Sequence, residues 1–213
     1  MTFDFVAPLY DWLARLVFGQ TLLRAQRVAW QPMRSGADVL VLGGGTGAFL
    51  PGFLLEKQPR QLLYVEASLA MLRRARRRVL PIRPGADPVC FRHGTEALLR
   101  AGESFDYILL PFVLDVYAPG SLRQQMLPRL LRALRPGGAL IVTDFDRPQT
   151  AFQRLQMTLM LTFFRLTARI PVRSWTAWPD LLTELGLVEQ HRRSFRRGPV
   201  RAGCWVRSGE AGS

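Results

Sequence analysis

The sequence predicts an α/β fold: a doubly wound, mostly parallel seven-stranded sheet with an antiparallel C-terminal hairpin. Three observations carry this expectation. Strand-like and helix-like stretches alternate through the middle of the chain, which builds right-handed βαβ units and a parallel sheet covered on both faces. The first strand, Val39-Leu40-Val41-Leu42, runs directly into Gly43-Gly44-Gly45-Thr46-Gly47 and then into a helical pattern. Two short strands near the end are separated only by a turn-like segment holding Gly198 and Pro199, and strands so joined pair antiparallel.

Taken in order, residues 1–34 form an aromatic-rich, helical leader. Strands follow at 38–42, 62–66, 89–93, 105–110 and 139–144, with helical patterns between them at 46–57, 68–79, 95–101 and 121–135. Pro128 lies inside the last of these and predicts a kink or a fresh helix start. Residues 148–173 are an amphipathic insertion, in which Leu155, Leu159, Thr162, Phe163 and Leu166 recur at helical spacing. Trp178 to Leu185 reads as a helix stopped by Gly186. The hairpin strands are 187–192 and 202–207. No repeat or long linker divides the chain, so 1–213 reads as a single domain.

Composition bounds the function. With 213 residues, 48% of them hydrophobic and 21% charged, the chain has the balance of a globular domain rather than a disordered one. Cys90 and Cys204 fall inside strands without metal-ligand spacing, so both are expected to be core thiols and no metal is expected. Asp4 and Asp11 interrupt any apolar leader. The strongly apolar run 157–164 is far shorter than the roughly 20 residues a spanning helix needs. These points predict a cytoplasmic protein.

The formal net charge is +13, and Lys57 is the only lysine. The arginines are spread out, with Arg73, Arg74, Arg76, Arg77 and Arg78 on one helix and Arg192, Arg193, Arg196 and Arg197 near the C-terminus. A solvated basic face explains such runs. Aromatic residues do not interleave with them as on a base-stacking platform. A nucleic-acid partner is therefore not expected, whereas peripheral contact with an anionic membrane stays open. The sequence does not fix an oligomeric state.

The chemistry is concentrated around the glycine loop. A strand, a glycine-rich turn and a helix in succession aim backbone N–H groups at a nucleotide-like ligand, as in Rossmann-like folds. Glu66 ends the second strand about 20 residues further on, where a carboxylate can accept from ribose hydroxyls. Gly43, Gly45 and Ala48 satisfy G-x-G-x-x-A, a pattern shared by nicotinamide and S-adenosylmethionine sites. Three features decide between them: the added Gly47 with Thr46 before it, the turn Leu134-Arg135-Pro136-Gly137-Gly138 ahead of the fifth strand, and the closing hairpin.

On these residues the chain resembles the class I S-adenosylmethionine-dependent methyltransferases, especially the ubiquinone/menaquinone-biosynthesis type. Val39 to Gly47 is similar to that family's first motif. Val65-Glu66-Ala67-Ser68 with Met71 and Leu72 resembles its ribose-binding strand end, Phe91 to Leu98 its adenine-side segment, and Phe105 to Tyr117 its fourth-strand motif. Phe5-Val6-Ala7-Pro8-Leu9-Tyr10-Asp11 is similar to the family's N-terminal signature, with Phe3-Asp4 in the first Y-D place. Three positions depart from the pattern: Val41 stands where an acid is usual, Thr95 replaces the adenine-side aspartate with Glu96 beside it, and Asp115 stands where many relatives carry histidine.

The resemblance implies S-adenosyl-L-methionine as cofactor and methyl transfer to a small acceptor, apolar, lipid-like or aromatic. It assigns cofactor contacts to Gly43, Gly44, Gly45, Thr46, Gly47, Glu66, Ala67, Ser68, Met71, Thr95, Glu96, Pro111 and Phe112. Tyr10, Asp115 and Tyr117 fall on the substrate side, with the leader and the 148–173 insertion as walls or lids. No catalytic residue is assigned, because many methyl transfers need no base; His93 and His191 read as structural. A nicotinamide-dependent reductase and a non-catalytic S-adenosylmethionine-binding protein of the same fold are the alternatives.

Overall fold

The computed structural model describes residues 20–82, 89–148, 150–155, 157–158, 177–195 and 199–210. Along these, helix α1 (Thr21–Trp30) precedes strand β1 (Asp38–Leu42), α2 (Leu50–Lys57), β2 (Gln61–Glu66), α3 (Leu69–Val79), β3 (Val89–His93) and β4 (Phe105–Pro111). Then come α4 (Leu127–Ala133), β5 (Leu134–Phe145), α5 (Trp178–Glu184), β6 (Leu187–Phe195) and β7 (Val200–Arg207). The seven strands make one sheet in the order β3-β2-β1-β4-β5-β7-β6. The β1, β2, β3, β4 and β5 pairings are parallel, while β7 pairs antiparallel with both β5 and β6.

The period-2 alternation of strand side chains sorts the core into two layers. Leu40, Leu42, Ile108, Leu110, Leu140 and Val142 face Leu127 and Leu130 of α4 and Trp178 and Leu182 of α5. Val39, Val41, Leu109 and Ile141 face the opposite way, against Ala29 and Trp30 of α1, Phe53 of α2 and Ala75 of α3. Every residue of β1 is buried, as expected of a central parallel strand. Val41, the position where an acid was the family's usual choice, is fully buried in the second layer.

Several expectations need correcting. The helix expected over 46–57 starts only at Leu50, because the loop first closes through Gly47 N–H to Gly44 O and Leu50 N–H to Gly47 O. The stretch expected at 95–101 is a single 3₁₀ turn, Glu96–Leu98. The helix expected over 121–135 begins with Pro119–Ser121, passes through a π-helical stretch, Leu122–Met126, and resumes as α4, whose first turn holds Pro128. Proline has no N–H to give the preceding turn, and the wider ring accommodates that break.

The turn at 134–138 is absorbed into β5: Leu134 pairs with Phe105 and Ala139 with Tyr107, so the intervening residues bulge, with Gly137 at φ +71°. Cys204 is buried, but Cys90 is exposed on the edge strand β3 and is not a core thiol. The described start of the 148–173 insertion, 151–155, is helical, and Phe152 and Leu155 there are exposed. Leu159, Thr162, Phe163 and Leu166 lie outside the described residues, as do Tyr10 and the leader up to 19. No helix among the described residues is long and apolar enough to cross a membrane.

Candidate active site

The strand order reverses between β1 and β4: from β1 the chain winds outward through β2 and β3, then returns to β1's other side as β4. In open parallel sheets a crevice forms at that switch, outside the carboxyl ends of the strands, and ligands bind there. The sequence places its polar and glycine-rich residues on this edge. The glycine loop leaves β1, Glu66 ends β2, Thr95 and Glu96 follow β3, and Pro111 ends β4.

The loop is held open by glycines for definite reasons. Gly43, Gly45 and Gly47 have φ of +69°, +62° and +67°, a region that side chains other than glycine enter at a cost. Gly44 is needed for a different reason, since a Cβ there would meet the ring of Tyr64, 2.6 Å from Cζ. A Cβ on Gly47 would come within 2.8 Å of the Ala75 Cβ, so this glycine lets α3 pack close. At Gly45 the nearest atom to such a Cβ is the Met71 sulfur at 3.9 Å; Gly45 borders the crevice rather than a packed wall.

Glu66 is tied to the loop. Its Oε2 accepts from the Gly45 N–H at 2.8 Å and its Oε1 from the Ser68 N–H at 2.9 Å. Tyr64 Oη donates to Gly45 O at 3.0 Å, so β2 grips this glycine twice. The carboxylate is buried, and burial raises its pKa against the backbone N–H groups of Ser68, Gly45 and Ala67. Each oxygen that accepts one N–H keeps capacity for another donor, which is the chemistry a ribose diol requires. Ser68 caps α3, its Oγ accepting from Met71 N–H at 3.2 Å; the helix cap is thus Ser68 itself. Ala67 is exposed, Thr46 and Met71 are buried, and His93 Nε2 lies 2.9 Å from Ala67 O, a satisfied structural contact.

The loops after β3 and β4 meet. Thr95 caps the 3₁₀ turn by accepting from Ala97 N–H. Glu96 is buried, and Tyr117 Oη donates to its Oε2 at 2.7 Å. Burial and the neighbouring Glu96 push the Tyr117 hydroxyl pKa well up, so it remains a donor. Pro111 is buried at the end of β4. Phe112 takes φ +56°, its N–H donates to Thr143 O at 2.7 Å, and its ring lies 5.1 Å from that of Phe145. A non-glycine residue in this region stores strain of about 1 kcal/mol or more, and here it turns the chain sharply at the switch point.

Sequence reasoning did not single out Asp144. This residue is fully buried on β5, accepting from Leu114 N–H and Phe145 N–H, both at 2.8 Å. It fixes the 3₁₀ turn Leu114–Val116, which carries half-buried Asp115. Burial pushes its carboxyl up to about 7. Nothing in a single strand-end aspartate distinguishes it before its neighbours are known. Among the described residues no cluster of His, Cys, Asp or Glu could hold a metal ion.

Comparison with known proteins agrees with this geometry. A sequence profile described as a methyltransferase domain matches residues 40–140. The chain is 30% identical over 235 residues to the demethylmenaquinone methyltransferase of Parafrankia sp. (strain EAN1pec), covering 97% of this chain and 85% of that one. It is 30% identical over 149 residues to the ubiquinone/menaquinone biosynthesis C-methyltransferase of Hahella chejuensis (strain KCTC 2396), covering 68% of this chain but only 59% of that relative's length. Among solved structures, the magnesium protoporphyrin IX methyltransferase of Synechocystis PCC 6803, with bound SAH, superposes with a TM-score of 0.65 at 19% identity, covering 96% of this chain and 97% of that one.

Proposed function

The chain belongs to the class I S-adenosylmethionine-dependent methyltransferases, and on that premise we propose that it transfers a methyl group from S-adenosylmethionine to a small, apolar acceptor, aromatic or lipid-like. The observation that carries this reading is the buried Glu66 carboxylate bonded to Gly45 N–H at 2.8 Å beside the switch crevice. An anionic, backbone-anchored acceptor and a glycine loop with an open side suit a nucleoside with a free ribose diol. The fit extends to Met71, whose apolar side chain borders Gly45.

When bound, S-adenosylmethionine supplies a methyl group on a positively charged sulfur, so the electrophile arrives already activated. The protein's tasks are alignment and exclusion of water. In this reading Glu66 accepts from the sugar hydroxyls, the loop from Gly43 to Gly47 presents its backbone, and Ala67, Ser68, Thr46, Thr95 and Glu96 border the nucleoside. Pro111 and Phe112 form the floor on the acceptor side, with Asp115 and Tyr117 beyond it. No base is invoked: Tyr117 is a donor engaged by Glu96, and alignment suffices for an acceptor that is nucleophilic or ionised on its own. The acceptor is a small molecule rather than nucleic acid in this reading, since the described arginine runs, Arg73 to Arg78 and Arg192 with Arg193, lie on α3 and on β6 at the sheet edge.

Incubation with radiolabelled S-adenosylmethionine and a panel of phenols, quinols and lipid extracts tests the proposal. Label transferred to an organic-soluble product, and lost in Glu66→Ala, is expected. Binding of S-adenosylmethionine without turnover across the panel would favour the non-catalytic alternative.

A further inference from the structure

The arginines of α3 have no part in the site described above. Leu69, Arg73, Arg76, Arg77 and Leu80 are exposed, whereas Met71, Leu72, Ala75 and Val79 are buried. At about 3.6 residues per turn the helix therefore turns one stripe to solvent and the opposite one to the sheet. The solvent stripe has a leucine at each end and three arginines between. Helix α3 contains no acid, and among the described residues Arg73, Arg76 and Arg77 form no ion pair. Elsewhere Arg60, Arg92, Arg135 and Arg201 each meet a carboxylate. Arginines in the last turn complement the helix dipole. Arg73 with Arg77, and Arg74 with Arg78, nevertheless stand four residues apart, a spacing at which like charges weaken a helix. An anionic partner relieves that repulsion.

The bias extends over the whole layer. Helices α1, α2 and α3 cover one face of the sheet, and α4 and α5 the other. The first three carry eight arginine and lysine side chains against one acid, Glu56. Helices α4 and α5 with the π-helical stretch carry three against two acids, Asp180 and Glu184. The basic layer also exposes Leu55 at 65% and Leu80 at 48%, whereas its aromatic rings, Trp30, Phe49 and Phe53, are buried against one another. Exposed leucines among arginines suit a bilayer, where guanidinium groups pair with lipid phosphates and apolar side chains enter the interface. Single-stranded nucleic acid asks instead for exposed rings on which bases stack.

We propose that the exposed face of α3 docks this protein on an anionic lipid surface, its arginines on headgroup phosphates and Leu69 and Leu80 at the acyl boundary. The proposal goes beyond methyl transfer and does not rest on it. Because α3 begins beside Ser68 and Glu66, docking along this stripe holds the rim of the switch crevice at the bilayer. Each basic side chain at such a surface contributes about fivefold in binding, and the attraction fades beyond a Debye length of about 8 Å at physiological salt.

Cosedimentation of the full chain with vesicles, in the absence of S-adenosylmethionine, tests this. One set of vesicles is phosphatidylcholine alone and the other a three-to-one mixture with phosphatidylglycerol. Binding to the mixed vesicles only, lost when salt is raised to about 1 M, is expected. The triple variant Arg73→Gln, Arg76→Gln, Arg77→Gln should weaken it on the order of 100-fold, and Leu69→Ser with Leu80→Ser several-fold. Arg129→Gln with Arg132→Gln removes two exposed charges from α4 on the opposite face and should leave binding unchanged. Each variant is first shown by circular dichroism to be folded. Equal binding to the two vesicle types would overturn the proposal, as would binding that the α3 triple variant leaves intact or that the α4 pair weakens as much. RNA binding that depends on the same three arginines, with no binding to either vesicle, would overturn it in favour of a nucleic-acid face.

Discussion

Glu66 does two things at once, anchoring the Gly45 loop through one oxygen and the start of α3 through the other. Glu66→Gln keeps the shape but replaces an acceptor oxygen by an N–H₂ group facing an N–H, and removes the charge that favours sugar hydroxyls. Affinity for S-adenosylmethionine should fall by about 10- to 100-fold, read by calorimetry. Asp144 supplies a second prediction. Its folded-state pKa, up to about 7, lies above its ordinary 3.8, so the native state binds the proton more tightly than the unfolded chain. The contribution of this group to stability is fully present below about pH 4 and declines as pH rises through 7. Carbon-13 NMR of the Asp144 carboxyl should titrate near neutrality; a midpoint near 4 would contradict the desolvation argument. Glu66 was legible in the sequence because its distance from the glycine loop is fixed by the βαβ unit. Asp144 was not, because its meaning lies in which backbone donors it meets across the fold.

At the scale of elements, the loops beyond β3 and β4 are joined by the Tyr117–Glu96 hydrogen bond. Both residues were expected near ligand from sequence, one towards adenine and one towards substrate, but their bond to each other required the folded chain. Tyr117→Phe leaves a buried carboxylate oxygen without this donor and should destabilise the protein by about 1–3 kcal/mol. Amide hydrogen exchange should then quicken over 112–118 while β1 is unaffected; unchanged exchange there would mean that the bond ties nothing down. The strands were legible to within a few residues because parallel-sheet strands are continuous apolar runs bounded by glycine and charge. Helix starts were less so. The glycine loop consumed the first turn expected of α2, and Pro128 signals a break in the helix without specifying that the turn before it widens to a π-helix.

For the whole molecule, the net charge of +13 is partly explained by arginines that serve the fold. At the amino-terminal edge of the sheet, opposite the crevice, buried Asp38 pairs with Arg60 and Arg135, and Arg135 also reaches Asp106. The Arg60 hydrogen bond is the largest influence on Asp38 and helps hold its pKa below the ordinary 3.8. The stability this supplies is present above about pH 4 and is lost as pH falls through the lowered value, the opposite sense to Asp144. Urea unfolding of Asp38→Asn against wild type should show a difference at pH 6 that shrinks towards pH 2; a constant difference would contradict it.

Everything assigned to the crevice depends on one ligand class fitting beside Glu66 and the glycine loop. Isothermal titration of the full chain with S-adenosylmethionine, and separately with NADH, tests this most directly. Saturable binding of S-adenosylmethionine at one site, weak or no binding of NADH, and loss of the former in Glu66→Ala are predicted. Binding of NADH alone, or S-adenosylmethionine binding indifferent to Glu66→Ala, would contradict the account.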